Sequence, residues 1–269
     1  MSEWFPNMVK QQTNDVNSRK GTMLFPSTMW TDVLGWKSAS IEKRQSVLER
    51  FYNRYRLPLL AFIEFQGHAR PEAEDLLQEF ILHQIDGKIF AHADPQKGRF
   101  RNLLLTSLKN FIVSSTRSSK AEKRHPKRGF SYLDEEVSEG VLLKDIIADT
   151  KTPEDIFHRI WFVTLLASVM SQLKLDYQTK GQETHFNIFE RRVIKPIFHG
   201  GDRPSVKALA QEYGLSSTEA SNYIVTAKRG YQRHLKEAIK EYSGTEKEAS
   251  EEINDFLYFV QNLRCSQGI

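Results

Sequence analysis

The chain has 269 residues, of which 39% are hydrophobic and 27% charged, a balance that suits a folded protein of one large or two ordinary domains. Its net charge of +4 leans toward an anionic partner, and its single cysteine, Cys265, excludes a disulfide within the chain. No apolar run approaches the roughly 20 residues needed to cross a bilayer, and the opening MSEWFPNMVKQQTNDVNSRKG lacks the apolar centre of a signal peptide, so the expectation is a cytoplasmic protein without membrane contact.

Residues 1–24 are polar and aperiodic and read as a flexible arm. Trp30, Val33, Leu34 and Trp36 open a helical region. The spacing of Val47, Leu48, Phe51 and Tyr55 predicts a helix over about 41–55, and Pro58 predicts the start of another that stops at Gly67. The next helix is strongly signalled. Pro71 fits its first turn, Glu72, Glu74 and Asp75 complement its N-terminal dipole, and Ala73, Leu76, Leu77, Phe80, Ile81 and Ile85 recur on one face. Asp75, Gln78 and Glu79 lie on the opposite face, which reads as a surface for docking a partner.

The stretch Gly98–Arg128 begins apolar and ends basic. Phe100, Leu103, Leu104, Leu108, Phe111 and Ile112 form one stripe at helical spacing, and Arg117, Lys120, Lys123, Arg124, Lys127 and Arg128 follow with only Glu122 opposing them. A helix anchored by its first half and cationic in its second can present charge to phosphate. From Tyr132 to Asp149 the sequence turns acidic and reads as a linker with a short apolar anchor at Val141–Leu143 and Ile146. Thr152, Pro153 and Asp155 then form a capping signal for a helix carrying Ile156, Ile160, Val163, Ala167 and Met170, and another helix is expected over about 184–198.

The sharpest local pattern is SVKALAQEYGLSSTEASNYIVTAKRGYQRHL, residues 205–235. Ser205 caps a short helix with Val206, Leu209, Ala210 and Tyr213 inside, Gly214 supplies a left-handed turn, and Ser216 or Ser217 caps a second helix with Ala220, Ile224, Ala227 and Tyr231 inside. This is the pattern of a helix-turn-helix. Its outward residues are Thr218, Glu219, Ser221, Asn222, Val225, Thr226, Lys228 and Arg229; the Ser, Asn and Thr side chains can read base edges, while Lys228, Arg229 and Arg233 can hold phosphates. A last amphipathic helix is expected from 246, with Ile253, Phe256, Leu257 and Val260 on one face, packed on the second domain. The expected fold is therefore all-α. Two small helical domains (25–128 and 152–245) are joined by an acidic linker (129–151), the second domain holds the helix-turn-helix, and an extra C-terminal helix lies within 246–269.

DLLQEF (Asp75–Phe80), GRFRNLLLTSLKNFIVSSTRSSKAEKR (Gly98–Arg124) and ALAQEYGLSSTEASNYIVTAKRGYQRHL (Ala208–Leu235), in that order, resemble the extracytoplasmic-function group of bacterial RNA polymerase sigma factors. TMWTDVL, TPEDIF and the tail after Glu246 resemble a longer-chained subgroup. The resemblance implies that Asp75, Gln78 and Glu79 bind core RNA polymerase. It implies that Asn110, Ser114, Arg117 and Lys120 meet the minus-ten region in duplex and melted form, with Lys123, Arg124, Lys127 and Arg128 on phosphates. It implies that Thr218, Ser221, Asn222, Thr226, Lys228, Arg229 and Arg233 contact the minus-thirty-five element. The partners implied are core RNA polymerase and promoter DNA, with an anti-sigma protein as a further candidate. Family members often place an aromatic residue where Asn102, Leu103 and Leu104 stand here, and leucine cannot stack an unpaired base. Two other readings compete. One is a free-standing DNA-binding regulator, and the other is a sigma-like interaction module without initiation activity. The eight histidines lack metal-ligand spacing and no phosphate-loop or nucleophile-elbow motif occurs, so no catalytic role, metal or cofactor is expected.

Overall fold

A computed structural model describes residues 29–85, 89–90, 93–118, 136–138, 141–142, 152–198, 202–243, 245, 247 and 249–255. The described residues are overwhelmingly helical, as the all-α expectation requires. The helices are α1 (Met29–Leu34), α2 (Ile41–Phe65), α3 (Arg70–Ile85), α4 (Phe100–Ser118), α5 (Pro153–Thr179), α6 (Glu183–Phe189), α7 (Val206–Glu212) and α8 (Ser217–Tyr242). A π-helical turn, Glu190–Ile194, carries α6 on into Lys195–Phe198, and helical residues 249–255 lie in the tail. Within the stretch expected as a linker, Glu136–Ser138 pairs antiparallel with Val141–Leu142.

Local chemistry accounts for most helix starts. Ser40, Thr152, Ser205 and Ser216 each accept a hydrogen bond from a backbone N–H of the first turn. Ser216 and Glu219 complete a reciprocal capping box, at 3.1 Å from Glu219 N to Ser216 Oγ and 2.8 Å from Ser216 N to the Glu219 carboxylate. Gly214 takes φ +66 between α7 and α8, the left-handed conformation that favours glycine.

Pro58 corrects the sequence reading. It does not open a new helix but lies inside α2, which runs unbroken for 25 residues. Proline removes one backbone donor and crowds the carbonyl four residues earlier, a cost of about 3 kcal/mol in a free helix. Burial offsets that cost here, because Pro58 and the six residues after it are all buried. Tertiary packing overrides the local preference.

The larger apolar cluster runs from Trp30 through α2, α3 and α4 and includes Ile156, Phe157, Ile160, Trp161 and Val163 of α5. A smaller cluster joins Met170, Leu173 and Tyr177 at the far end of α5 to Phe186, Phe189 and Ala227. Tyr231 touches both. The helix that opens the expected second domain thus lies along α2 for its first half and against α6 and α8 for its second. It is the one described helix long and apolar enough to cross a membrane, contrary to the expectation that no stretch would be. Most of that apolar stretch is buried inside the protein.

The tail also differs from expectation. Ala249 sits in the larger cluster, and the acidic side chains of 251–255 reach the N-terminal end of α4 rather than only the second domain. Phe256, Leu257 and Val260 lie outside the described residues, as does the arm at 1–24.

Helix α8 lies close on α5 at Gly230, where an added Cβ would lie 3.1 Å from Leu173 Cδ1 and 3.5 Å from the Tyr177 hydroxyl. Gly230→Leu should therefore lower the unfolding free energy by about 1–3 kcal/mol through overpacking. Urea unfolding followed by tryptophan fluorescence measures the change.

Candidate nucleic-acid and protein-docking faces

On α3 the inward residues Ala73, Leu76, Leu77, Phe80 and Ile81 are buried, so Asp75 and Glu79 are left exposed and Gln78 half-exposed on the other side. The neighbouring acids are committed. Glu74 takes Arg70 Nε at 2.7 Å and lies 3.8 Å from Arg56, while Glu72 pairs with His68 at 3.3 Å. Asp75 and Glu79 make no ion pair among the described residues. Like charges four apart on one helical face disfavour the helix by a few tenths of a kcal/mol, about 0.2–0.5. A cationic partner would remove that cost.

Helix α4 follows the expected stripe: Phe100, Leu104, Leu108 and Ile112 are buried, Leu103 and Phe111 partly so. Phe100 is held in a cage of rings, 5.8 Å from Trp30, 6.3 Å from Phe51, 6.0 Å from Tyr55 and 6.2 Å from Phe90. It cannot reach an unpaired base without leaving the core. Phe111 packs on Phe80 at 5.6 Å and on His83 at 5.7 Å, which joins the second half of α4 to α3. Asn110 and Ser114 are exposed nearby, with the Ser114 hydroxyl donating to the Phe111 carbonyl at 2.8 Å. Arg117 is helical in its backbone. Lys120, Lys123, Arg124, Lys127 and Arg128 lie outside the described residues.

The third face is on α8, a 26-residue helix. Ala220, Ala227 and Gly230 are buried, while Thr218, Ser221, Asn222, Val225, Thr226, Lys228, Arg229 and Arg233 are all exposed. At about 100° per residue, Thr218, Asn222, Val225, Arg229 and Gln232 lie within roughly 40° of one direction. Small residues on the inner side let α8 lie close on α5, and they leave the polar side chains to solvent. Its start is fixed by the capping box and by Tyr223, which stacks on His185 with centroids 3.6 Å apart. Burial pushes the His185 imidazole down, against a backbone hydrogen bond with Gln182. That favours a neutral ring in the stack.

One cluster escaped the sequence reading. Arg99 and Arg101, at the head of α4, face Glu251, Glu252 and Asp255 of the tail. Arg101 is 5% exposed, lies 2.9 Å from Glu252, and places its guanidinium 4.6 Å over Trp161 and 5.1 Å over Phe162. Arg99 bonds Asp255 and lies 3.3 Å from Glu252. Burial pushes the Arg101 guanidinium down, Glu252 opposes this, and Arg99 adds to it. Asp255 also opposes the downward shift, so the tail carboxylates favour the charged guanidinium. The GRFR and EEINDF segments are about 150 residues apart, so no local pattern links them.

Among the described residues no group of three His, Cys, Asp or Glu side chains could hold a metal ion. Comparison of the chain with protein-family models, curated proteins and solved structures finds no match.

His158 lies beneath the tail contact with its Nδ1 buried and without a hydrogen bond. Burial first, then the Arg101 charge, push its imidazole down to about 4 from the ordinary 6.5, against Asp155. The folded value is below the unfolded one, so the unfolded chain takes up this proton first as pH falls. Stability is unaffected above about pH 6.5, declines between roughly 6.5 and 4, and levels off below that. Between pH 7 and 4.5 the protein should lose on the order of 2 kcal/mol more than His158→Gln, read by urea unfolding at both values.

Proposed function

We propose that the chain is a sigma factor of the extracytoplasmic-function kind, which binds core RNA polymerase and directs it to promoters. The observation that carries the reading is α8. Its start is capped, its small residues face the core, and Thr218, Ser221, Asn222, Thr226, Lys228, Arg229 and Arg233 face solvent together. That arrangement suits a helix laid in a major groove, with short polar side chains toward base edges and cations toward phosphates. In this reading α7, the turn at Gly214 and α8 form a helix-turn-helix that reads the minus-thirty-five element. The exposed Asp75, Gln78 and Glu79 on α3 dock on the polymerase core through complementary charge. Asn110, Ser114, Arg117 and Lys120, with the basic run to Arg128, meet the minus-ten region. The order of these three segments along the sequence is what connects them to one function.

One observation favours a second reading, a sigma-like interaction module that does not initiate. Phe100 is caged and Phe111 is packed on α3, so the aromatic stacking lost at Asn102–Leu104 is not supplied from elsewhere on α4. Stacking on an aromatic side chain is worth about 1–3 kcal/mol per unpaired base.

Run-off transcription on fragmented genomic DNA, with core polymerase and with or without the protein, separates the readings. Discrete starts that depend on the protein are expected, and Asp75→Lys with Glu79→Lys should abolish them while leaving DNA binding by the protein alone intact. Binding to core polymerase without starts supports the interaction module. Binding to duplex DNA without any affinity for core supports a free-standing regulator. In a salt titration of promoter binding, Arg229→Gln with Arg233→Gln should reduce the slope of log affinity against log salt by about two.

A further inference from the structure

The contact between the tail and the head of α4 is built from charge where apolar side chains would seal more cheaply. Ion pairs taken out of water often stabilise less than hydrophobic residues of similar volume. Arg99 and Arg101 also stand at the positive end of the α4 dipole, where cations are disfavoured. The peptide N–H groups of a helix start, with two guanidiniums beside them, form an arrangement that attracts an anion. Arg101 is 95% buried by its 5% exposure, and its Nε and Nη1 find no partner even with the tail in place. Glu252 Oε2 beside it likewise lacks a well-formed hydrogen bond, so the tail carboxylates leave these Arg101 donors unmatched by geometry and not by charge.

The tail supplies carboxylates at positions 251, 252 and 255, so one helical face sets three negative groups over the arginines. Only Glu252 is buried; Glu251 and Asp255 are about half exposed at their side chains. A row of acids on a short helical segment offers these arginines the same sign of charge as a phosphate backbone.

We propose that the head of α4 is a phosphate-binding site for a nucleic-acid backbone, and that the chain's own acidic tail occupies this site until nucleic acid displaces it. The choice of nucleic acid as the phosphate source rests on the function proposed above; the site itself does not. Arg99, with part of its side chain already open to solvent, meets the incoming phosphate first. Arg101 follows once Glu252 leaves. Contact with one or two phosphates here adds to those made by the outward face of α8, and the tail thereby lowers the affinity of the free protein for nucleic acid.

The test uses the full chain. Glu251→Gln with Asp255→Asn removes the two exposed charges and spares the buried Glu252, and a charge-matched control, Glu49→Gln with Glu183→Gln, removes two exposed acids elsewhere. Fluorescence anisotropy measures binding of a mixed-sequence DNA duplex and, separately, of inorganic polyphosphate. The tail variant should bind several-fold more tightly than both wild type and control, with a salt slope steeper by about 0.9 for each added phosphate contact. Adding Arg99→Gln should abolish the gain. In the wild-type protein, saturating DNA should accelerate amide hydrogen exchange at 249–255. Equal affinities for tail variant and control, a gain that survives Arg99→Gln, or bound DNA that leaves exchange at 249–255 unchanged overturns the proposal. A gain with polyphosphate alone keeps the site and overturns nucleic acid as its ligand. Promoter-dependent starts with no gain in either arm keep the sigma reading and overturn the masked site.

Discussion

The constraint on which the rest of the structure depends is the burial of most of the apolar surface of α5. A helix whose apolar residues spread beyond one stripe cannot rest on a single surface, so more than one element must cover it. Its first half is enclosed by α2 and the larger cluster, its second by α6 and α8. Ile156, Phe157, Ile160 and Leu173 are fully buried, and each such side chain contributes about 1.5–3 kcal/mol relative to exposure. The axis so formed holds α4 and α8, the two helices with the candidate DNA-contacting faces, on one continuous body.

Charge then acts on that body in two different settings. At the surface of α3 and α8, polar and ionic groups are left to solvent and contribute little to stability, which leaves them free for recognition. At the head of α4 the same kinds of groups are enclosed, and there the desolvation of Arg101 is opposed by Glu252 and by the rings of Trp161 and Phe162. The link between α4 and α5 is repeated nearby by Lys109, which bonds Glu154 and lowers its carboxyl, with burial opposing. Both partners of that pair are about 40% exposed, so it orients the helices more than it stabilises them. The tail contact is therefore the more consequential of the two, and it is the one whose chemistry an external polyanion can imitate.

The candidate faces follow from economy of packing. Where α8 approaches α5, alanine and glycine keep the backbones close, and Thr218, Asn222, Val225, Arg229 and Gln232 lie on the far side. Where α4 enters the core, phenylalanine fills it, and the aromatic that might have served a melted strand is committed to the ring cage. A protein using these faces on DNA would depend on polar and cationic contacts more than on stacking.

The sequence by itself determined the elements whose signals are local. Serine caps at 205 and 216, the glycine at 214 and the three- and four-residue apolar steps of α3, α4 and α8 act within one or two turns, and the helices and their outward faces were legible from them. Pro58 goes against its local signal, because burial of 58–64 decides there. The tertiary structure alone decided that α5 is the shared axis, since apolar residues that spread beyond one stripe do not name the element each of them meets. It alone brought Arg99 and Arg101 to Glu252 and Asp255, because electrostatic attraction across about 150 residues depends on distance in space, which no spacing along the chain encodes.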